Sequence, residues 1–305
     1  MRLQSFLEEL VKKHRDLTVE GNVAEYIPQL TEQEPRALGV TVRTCEGKVY
    51  SAGDCPVSFT LQSISKVITL ILALMDHGPD FVFDKVGMEP TGDPFNSLFK
   101  LETTKPGKPL NPMINAGALV VSSMIKGESA EERMERILQL VRDMAENPEI
   151  EVDEAVYHSE LATGDRNRAL AYLLKEFGSI RDVDATLELY LRHCAISVTC
   201  DDLARIGLCL ARYGRSENGE EVVPHSLARL VKTFMVTCGM YNASGEFAIQ
   251  AGIPAKSGVS GGILASVPRR MGIGVFGPSL DEKGNSIAGV RLLKELCREW
   301  ELSIF

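Results

Sequence analysis

Residues 254–276, PAKSGVSGGILASVPRRMGIGVF, contain both the strand pair that sets the fold class and a motif that points to chemistry. Two apolar runs, Gly262 to Val267 and Met271 to Phe276, flank Pro268-Arg269-Arg270, which predicts a hairpin. Near the other end of the chain, Leu38, Val40 and Val42 alternate with Gly39, Thr41 and Arg43. Glu46-Gly47 then leads into Lys48-Val49-Tyr50, a second hairpin pattern. Between the two the pattern is helical. Helices are expected over 63–77, closing at Gly78-Pro79, over 115–126, closing at Gly127, and over 129–146, closing at Asn147-Pro148. In the last of these Ser129 and Glu132 form a capping box, and Met134, Ile137, Leu138, Val141 and Met144 draw an apolar stripe. Further helices are expected at about 165–177, 183–193, 201–213, 224–235 and 286–300. Strands at both ends around a long helical middle predict an α+β fold: an antiparallel sheet assembled from N- and C-terminal segments, with an inserted helical lobe.

The remaining composition narrows the class. A chain of 305 residues with 44% hydrophobic content can bury a large core. The formal charge of −9 opposes binding to nucleic acid or anionic membranes, and no local basic patch offsets it. Seven cysteines form neither a CxxC pair nor a zinc-spaced cluster, so reduced thiols in a cytoplasmic protein are expected. The N-terminal MRLQSFLEELVKKHRD has apolar residues at helical spacing with acids among them, unlike a signal peptide. The longest apolar stretch, 67–75, is interrupted by Thr69 and too short to span a bilayer. No repeat divides the chain, and the breaks are short loops such as Lys105-Pro106-Gly107-Lys108-Pro109.

Two familiar patterns lose their meaning in context. Gly258-Val259-Ser260-Gly261-Gly262 matches GxSxG, but a strand follows where a nucleophile elbow needs a helix, and the last histidine is His225. Gly272-Ile273-Gly274-Val275-Phe276-Gly277 matches GxGxxG, but it lies in a strand pattern followed by Pro278, with no helix to receive a phosphate. GxxxxGK[ST] and HExxH are absent, and the five histidines (14, 77, 158, 193 and 225) are scattered. Lysine and tyrosine are left as bases.

Ser-x-x-Lys occurs at Ser63/Lys66, Ser97/Lys100 and Ser123/Lys126, so position must choose among them. Ser63 opens a strongly apolar helix, and Lys66 one turn on shares its face, close enough to take the hydroxyl proton. Desolvation lowers a lysine pKa in the direction that makes it a base. The alternative is a helix-capping serine beside a snorkelling lysine. Lys256-Ser257-Gly258, the one Lys-[Ser/Thr]-Gly in the chain, favours the chemical reading. It sits late, before the C-terminal hairpin, where active-site-serine enzymes place a cation and backbone donors opposite the nucleophile.

Several further motifs accompany this pair: Tyr26-Ile-Pro-Gln-Leu, Gln62-Ser-Ile-Ser-Lys66, Asn111-Pro-Met-Ile-Asn-Ala-Gly-Ala118, Ser159-Glu160 with Gly164-Asp-Arg-Asn167, Tyr190 before Cys194, Cys238-Gly-Met-Tyr241 and Pro254-Ala-Lys-Ser-Gly-Val259. In them the sequence resembles, nearly end to end, the glutaminase family of serine-dependent enzymes with a β-lactamase-like fold. The resemblance implies a single catalytic domain over 1–305, with a sheet lobe at about 1–62 and 236–305 and a helical lobe at about 63–235.

The resemblance further implies a reaction and its residues. L-glutamine would be converted to L-glutamate and ammonia, with Ser63 as acylated nucleophile, Lys66 as general base and Tyr241 relaying or donating the proton that releases ammonia. The amides of Ser63 and Val259 would form an oxyanion hole. Asn115, Glu160, Asn167 and Tyr190 would hold the α-amino and α-carboxylate groups, with Tyr26 and Gln62 nearby, and Lys256 would keep Lys66 neutral. No metal or cofactor is implied, and a homodimer or homotetramer is. Free glutamine carries an ammonium, a carboxylate and a neutral amide, so a site needs an anion, several donors and a nucleophile. Other readings stay open at single positions: Asn115 as a helix N-cap, Glu160 as a solvated acid, Tyr190 as a core aromatic, Tyr26 as loop packing. Two rivals remain for the whole, a β-lactamase or peptidase-like serine hydrolase and a non-catalytic amino-acid-binding module. The Ser-Asp-Asn motif and export signal of the first are missing.

Overall fold

The computed structural model describes residues 3–92 and 107–305. Ser97/Lys100 and the start of the 105–109 loop lie outside the described residues. Five antiparallel strands form one sheet in the order β2-β1-β7-β6-β5, where β1 is Gly39–Thr44, β2 Val49–Gly53, β5 Ala255–Ser257, β6 Gly262–Val267 and β7 Met271–Phe276. N-terminal β1 pairs with C-terminal β7, Val42 opposite Ile273, so the sheet joins the two ends of the chain as the alternation predicts. One face packs on α1 (Leu3–His14) and α12 (Ile287–Glu299), through Leu7, Leu10, Val40, Ile273, Leu292 and Leu296.

Helix α9 (Cys200–Ala211) covers the other face, and the glycines of the GxGxxG match explain how. A Cβ on Gly272 would sit 2.0 Å from Leu208 N, and one on Gly274 2.1 Å from Cys200 O. These are glycines in a strand, as expected. They let a helix backbone lie directly on the sheet.

The other helices form the second layer. In α2 (Ser65–His77) every residue from Ser65 to Leu74 is buried. Against it pack α4 (Asn115–Met124), α5 (Ala130–Ala145) and α10 (His225–Cys238), while α8 (Val183–Cys194) packs on α4 and α5. Three helices escape the sequence reading. Helix α3 (Pro79–Lys85) begins at the Gly-Pro read as a stop, since proline suits a first helical position. Helix α6 (Glu154–Thr163) buries an acid, Glu160, with Val156 and Tyr157, which erases the apolar stripe. Helix α11 (Ser244–Gln250) is short. At α5, Ser129 Oγ accepts from Glu132 N, but the Glu132 carboxylate accepts from Glu128 N at 2.6 Å, so the box is only half formed. Between these comes α7 (Asp165–Glu176).

A short antiparallel pair, β3 (Phe59–Thr60) with β4 (Ser197–Val198), ties the chain before Ser63 to the end of α8. Leu61 N donates to Ile196 O at 2.8 Å, and Phe59 stacks on Phe276 with centroids 4.5 Å apart.

Candidate active site

Ser63 is not within the α-helix. It lies in a 3₁₀ turn, Gln62–Ile64, immediately ahead of α2, and Gln62 adopts a left-handed φ of 48°. The β5 segment presses on this turn. Ser260 Oγ donates to Thr60 O at 2.6 Å, and a Cβ on Gly258 would meet Leu61 O at 2.6 Å. The glycine of Lys256-Ser257-Gly258 therefore allows the strand edge to reach the serine turn, which brings Val259 beside Ser63 in the wall of one cavity.

That cavity, about 350 Å³, collects most of the sequence-predicted residues: Ser63, Gln62, Tyr26, Asn115, Glu160, Asn167, Tyr190 and Val259. They come from the serine turn, the N-terminal loop, α4, α6, α7, α8 and the loop after β5. Lys66 lies behind the wall, 1% exposed. Its Nζ donates to Asn115 Oδ1 at 2.6 Å and to Met113 O at 3.4 Å. Among the described hydrogen bonds none joins Lys66 to Ser63. Ser63 shares a side-chain hydrogen bond with Tyr241.

Burial lowers the Lys66 pKa to about 8, opposed by Cys194 and Glu160. A neutral amine has two N–H groups and one lone pair; Asn115 and Met113 take the donors, which leaves the lone pair to accept a proton. Asn115 is not a helix cap, since Ile114 occupies that position. Its carboxamide instead bridges Lys66 and, through Nδ2, Asn167 Oδ1 at 3.0 Å.

Glu160 is not a solvated acid. It is 6% exposed, and Oε1 accepts from Gln62 Nε2 at 2.5 Å. Burial raises its pKa to about 7, opposed by the Gln62 hydrogen bond and by Lys66. Tyr190 is buried with its ring 6.0 Å from Lys66 Nζ. Tyr26 lines the same cavity and is 57% exposed as a residue, while burial of its phenol group raises its pKa.

Tyr241 is also buried but lines a smaller neighbouring cavity of about 90 Å³ rather than the main one. Burial pushes its phenol well up, and a side-chain hydrogen bond with Ser63 pulls it back. Lys256 Nζ lies 4.5 Å from the centroid of the Tyr241 ring, fully buried, donating to Ser257 O at 2.6 Å. Burial, and next Lys66, hold its pKa well below the usual lysine range.

Sequence reading missed three polar residues of the wall: Thr163, Arg166 and Cys194. Arg166 was within reach, inside the Gly164-Asp-Arg-Asn167 motif. Burial pushes the Cys194 thiol up to about 12, so it remains protonated, 3.8 Å from Ser65 Oγ. Among the described residues no group of three or more His, Cys, Asp and Glu side chains is placed to hold a metal ion, and no helix is long and apolar enough to cross a membrane.

The Glutaminase family model matches residues 21–305. The chain is 55% identical over 301 residues to a glutaminase of Alkaliphilus metalliredigens, covering 98% of this chain and 99% of that one. It is 57% identical over 301 residues to a glutaminase of Geobacillus thermodenitrificans, covering 98% and 97%. It is also similar to the structure of a Bacillus subtilis glutaminase in covalent complex with 5-oxo-L-norleucine, formed by reaction with 6-diazo-5-oxo-L-norleucine. There the TM-score is 0.89 at 43% identity, over 99% of each chain.

Proposed function

This chain belongs to the glutaminase family, and from that premise we propose that it hydrolyses L-glutamine to L-glutamate and ammonia through an acyl-enzyme on Ser63. The observation that carries this is the single cavity in which a buried carboxylate, Glu160, amide and phenol groups of Asn115, Asn167 and Tyr190, and the Ser63 hydroxyl all meet. One anion for the ammonium, donors for the carboxylate and a nucleophile for the amide match the three groups of free glutamine.

The steps follow from the charges. Bound substrate brings an ammonium to Glu160, which favours its carboxylate form and releases its proton to solvent. Ser63 Oγ attacks the side-chain carbonyl carbon while its proton passes to the Lys66 lone pair, directly or through Tyr241. The tetrahedral oxyanion is held by the amides of Ser63 and Val259. Collapse breaks the carbon–nitrogen bond: Tyr241 gives its proton to the departing ammonia and takes one from protonated Lys66, which returns that amine to its neutral form. Water then attacks the γ-glutamyl ester, giving the glutamate carboxylate and restoring the Ser63 hydroxyl. A positively charged Lys66 cannot be a base; burial is what brings its pKa down to about 8, and Lys66 in turn helps hold Lys256 low.

The arrangement of a serine turn ahead of a buried helix, facing a Lys-Ser-Gly edge strand on a five-stranded antiparallel sheet, supports a β-lactamase-like fold in a single catalytic domain. As a member of this family the protein is proposed to work in the cytoplasm as a homodimer or homotetramer, with no cofactor.

The deciding experiment measures ammonia release from L-glutamine by the purified protein and by Ser63→Ala, with L-asparagine as control. Turnover that prefers glutamine and falls by at least about 10³-fold in Ser63→Ala is expected. Retention of most activity in the variant moves the nucleophile elsewhere. Glutamine binding without ammonia release from the wild type points to a binding module.

A further inference from the structure

His193 takes no part in the steps above, yet it is completely buried directly behind the serine turn. Its Nδ1 lies 2.8 Å from Ser65 Oγ on α2, and its Nε2 lies 3.0 Å from Ser122 Oγ on α4. Each of those hydroxyls also reaches a carbonyl: Ser65 Oγ is 2.7 Å from Gln62 O, and Ser122 Oγ is 2.8 Å from Ala118 O; Ser65 Oγ lies 3.8 Å from Cys194 Sγ as well, a weaker acceptor than the carbonyl.

Proton counting constrains this chain. A serine hydroxyl has one proton to donate. If both serines gave theirs to the carbonyls, both ring nitrogens would have to carry protons, making an imidazolium. A cation there would be fully desolvated, with Lys66 nearby and no carboxylate hydrogen-bonded to the ring. Burial, then Lys66, bring the His193 pKa down to about 3. The ring is neutral, so one serine must turn its hydroxyl toward it.

The two serines are not equivalent. Ala118 O lies within a regular helical turn, where its hydrogen bond to the backbone of α4 remains without the hydroxyl. Gln62 O belongs to the left-handed residue next to Ser63 and shares the Ser65 amide with Ser63 O. A left-handed non-glycine residue persists only where its surroundings hold it. The Ser65 hydroxyl is one such hold, and Gln62 Nε2 on Glu160 is another.

We propose that His193 is a positioning residue for the serine turn: as the Nδ1–H tautomer it donates to Ser65 Oγ and commits that hydroxyl to Gln62 O, while Ser122 donates to Nε2. The hydrogen-bond chain then runs from α4 through α8 and α2 to the turn that presents Ser63. Its role in turnover rests on Ser63 being the nucleophile.

Two measurements test it. In ¹⁵N spectra of histidine-labelled wild-type protein, with His193 identified through its contact to the Tyr190 ring, a proton on Nδ1 is expected. A proton on Nε2, or on both nitrogens, overturns the proposal. This readout needs no substitution. In parallel, His193→Asn keeps an N–H near the Nδ1 position, whereas His193→Gln places one near Nε2. The Asn variant is expected to stay within about threefold of wild-type kcat, and the Gln variant to lose at least about thirtyfold, mostly in kcat rather than KM. Equal losses in both variants would mean that the ring only fills space, and full activity in the Gln variant would remove any positioning role. Ser63→Ala, run alongside, separates the two layers. Activity retained there defeats the nucleophile assignment, whereas a dead Ser63→Ala beside a fully active His193→Gln defeats the positioning role alone.

Discussion

The two sides of the molecule are buried by opposite means. Where α9 lies on the sheet, contact is made by what is missing: Gly207, Gly272 and Gly274 carry no side chain, and backbone meets backbone. Where α2, α4, α6, α8 and β5 converge, the interior contains Lys66, Lys256, Glu160 and His193, each at most 6% exposed. The first interface is optimised for packing and leaves no room for change. In the second, desolvation holds the lysines below and the acid above their ordinary pKa values. A charge kept there costs stability, and what it gives in return is reactivity.

The sharpest way to break this contrast is to add atoms to the first side. Gly274→Val would drive its Cβ to within 2.1 Å of Cys200 O and 2.7 Å of Leu203 Cβ, and helix backbone cannot swing aside as a side-chain tip does. A loss of about 3 kcal/mol or more, or failure to fold, is expected in denaturant unfolding. Wild-type stability in this variant would mean that α9 is free to lift off the sheet.

The second side should respond in the opposite sense, and only at the right pH. The Glu160 pKa is raised to about 7 in the folded protein, against about 4.3 for an unfolded chain. The native state therefore binds the proton more tightly. The stability this contributes is complete below the unfolded value and is lost as pH rises through about 7. Glu160→Gln removes the ionisation, so it should match the wild type at about pH 4 and be more stable at pH 8, by about 3 kcal/mol. Its KM for glutamine should rise sharply, since the ammonium loses its partner. Melting curves at both pH values check the sign. A variant less stable at pH 8 would mean that Lys66 and Gln62 fully compensate the buried charge.

The same division decides what the sequence reveals. The strands of the sheet, β6 and β7 above all, are legible because alternation and a Pro-Arg-Arg turn are local signals. Gly272 and Gly274 are legible as strand glycines, but the reason for them, a helix about seventy residues earlier in the chain, is not. On the catalytic side Lys66, Asn115, Glu160 and Tyr190 come from four helices, and no spacing rule brings them together. Their grouping entered through the family resemblance. Glu160 shows the cost of the site to the pattern: a buried acid on α6 replaces an apolar residue and hides the helix itself. The Lys66–Asn115 bond and the His193 chain left no trace in the sequence, because each depends on which way a side chain turns once the helices are packed.

The smallest effect sharpens the contrast from a third position, the surface end of a helix that carries site residues. Asp182 caps α8, its carboxylate accepting from Ala185 N at 3.0 Å, and the residue is exposed. Tyr190 and His193 sit two turns and more along the same helix; His193 is held by contacts to α2 and α4 rather than by the cap, and the Tyr190 ring lies 6.0 Å from Lys66 Nζ on α2. Asp182→Ala loses one capping bond and a favourable charge at the helix N-terminus, and should cost about 1 kcal/mol. Ammonia release should stay at the wild-type rate, because fraying of the first turn stops before the buried residues. A fall in kcat alongside that small loss of stability would show that α8 transmits strain from its exposed end to the serine turn. The catalytic region would then depend on its periphery in a way that the sheet side does not.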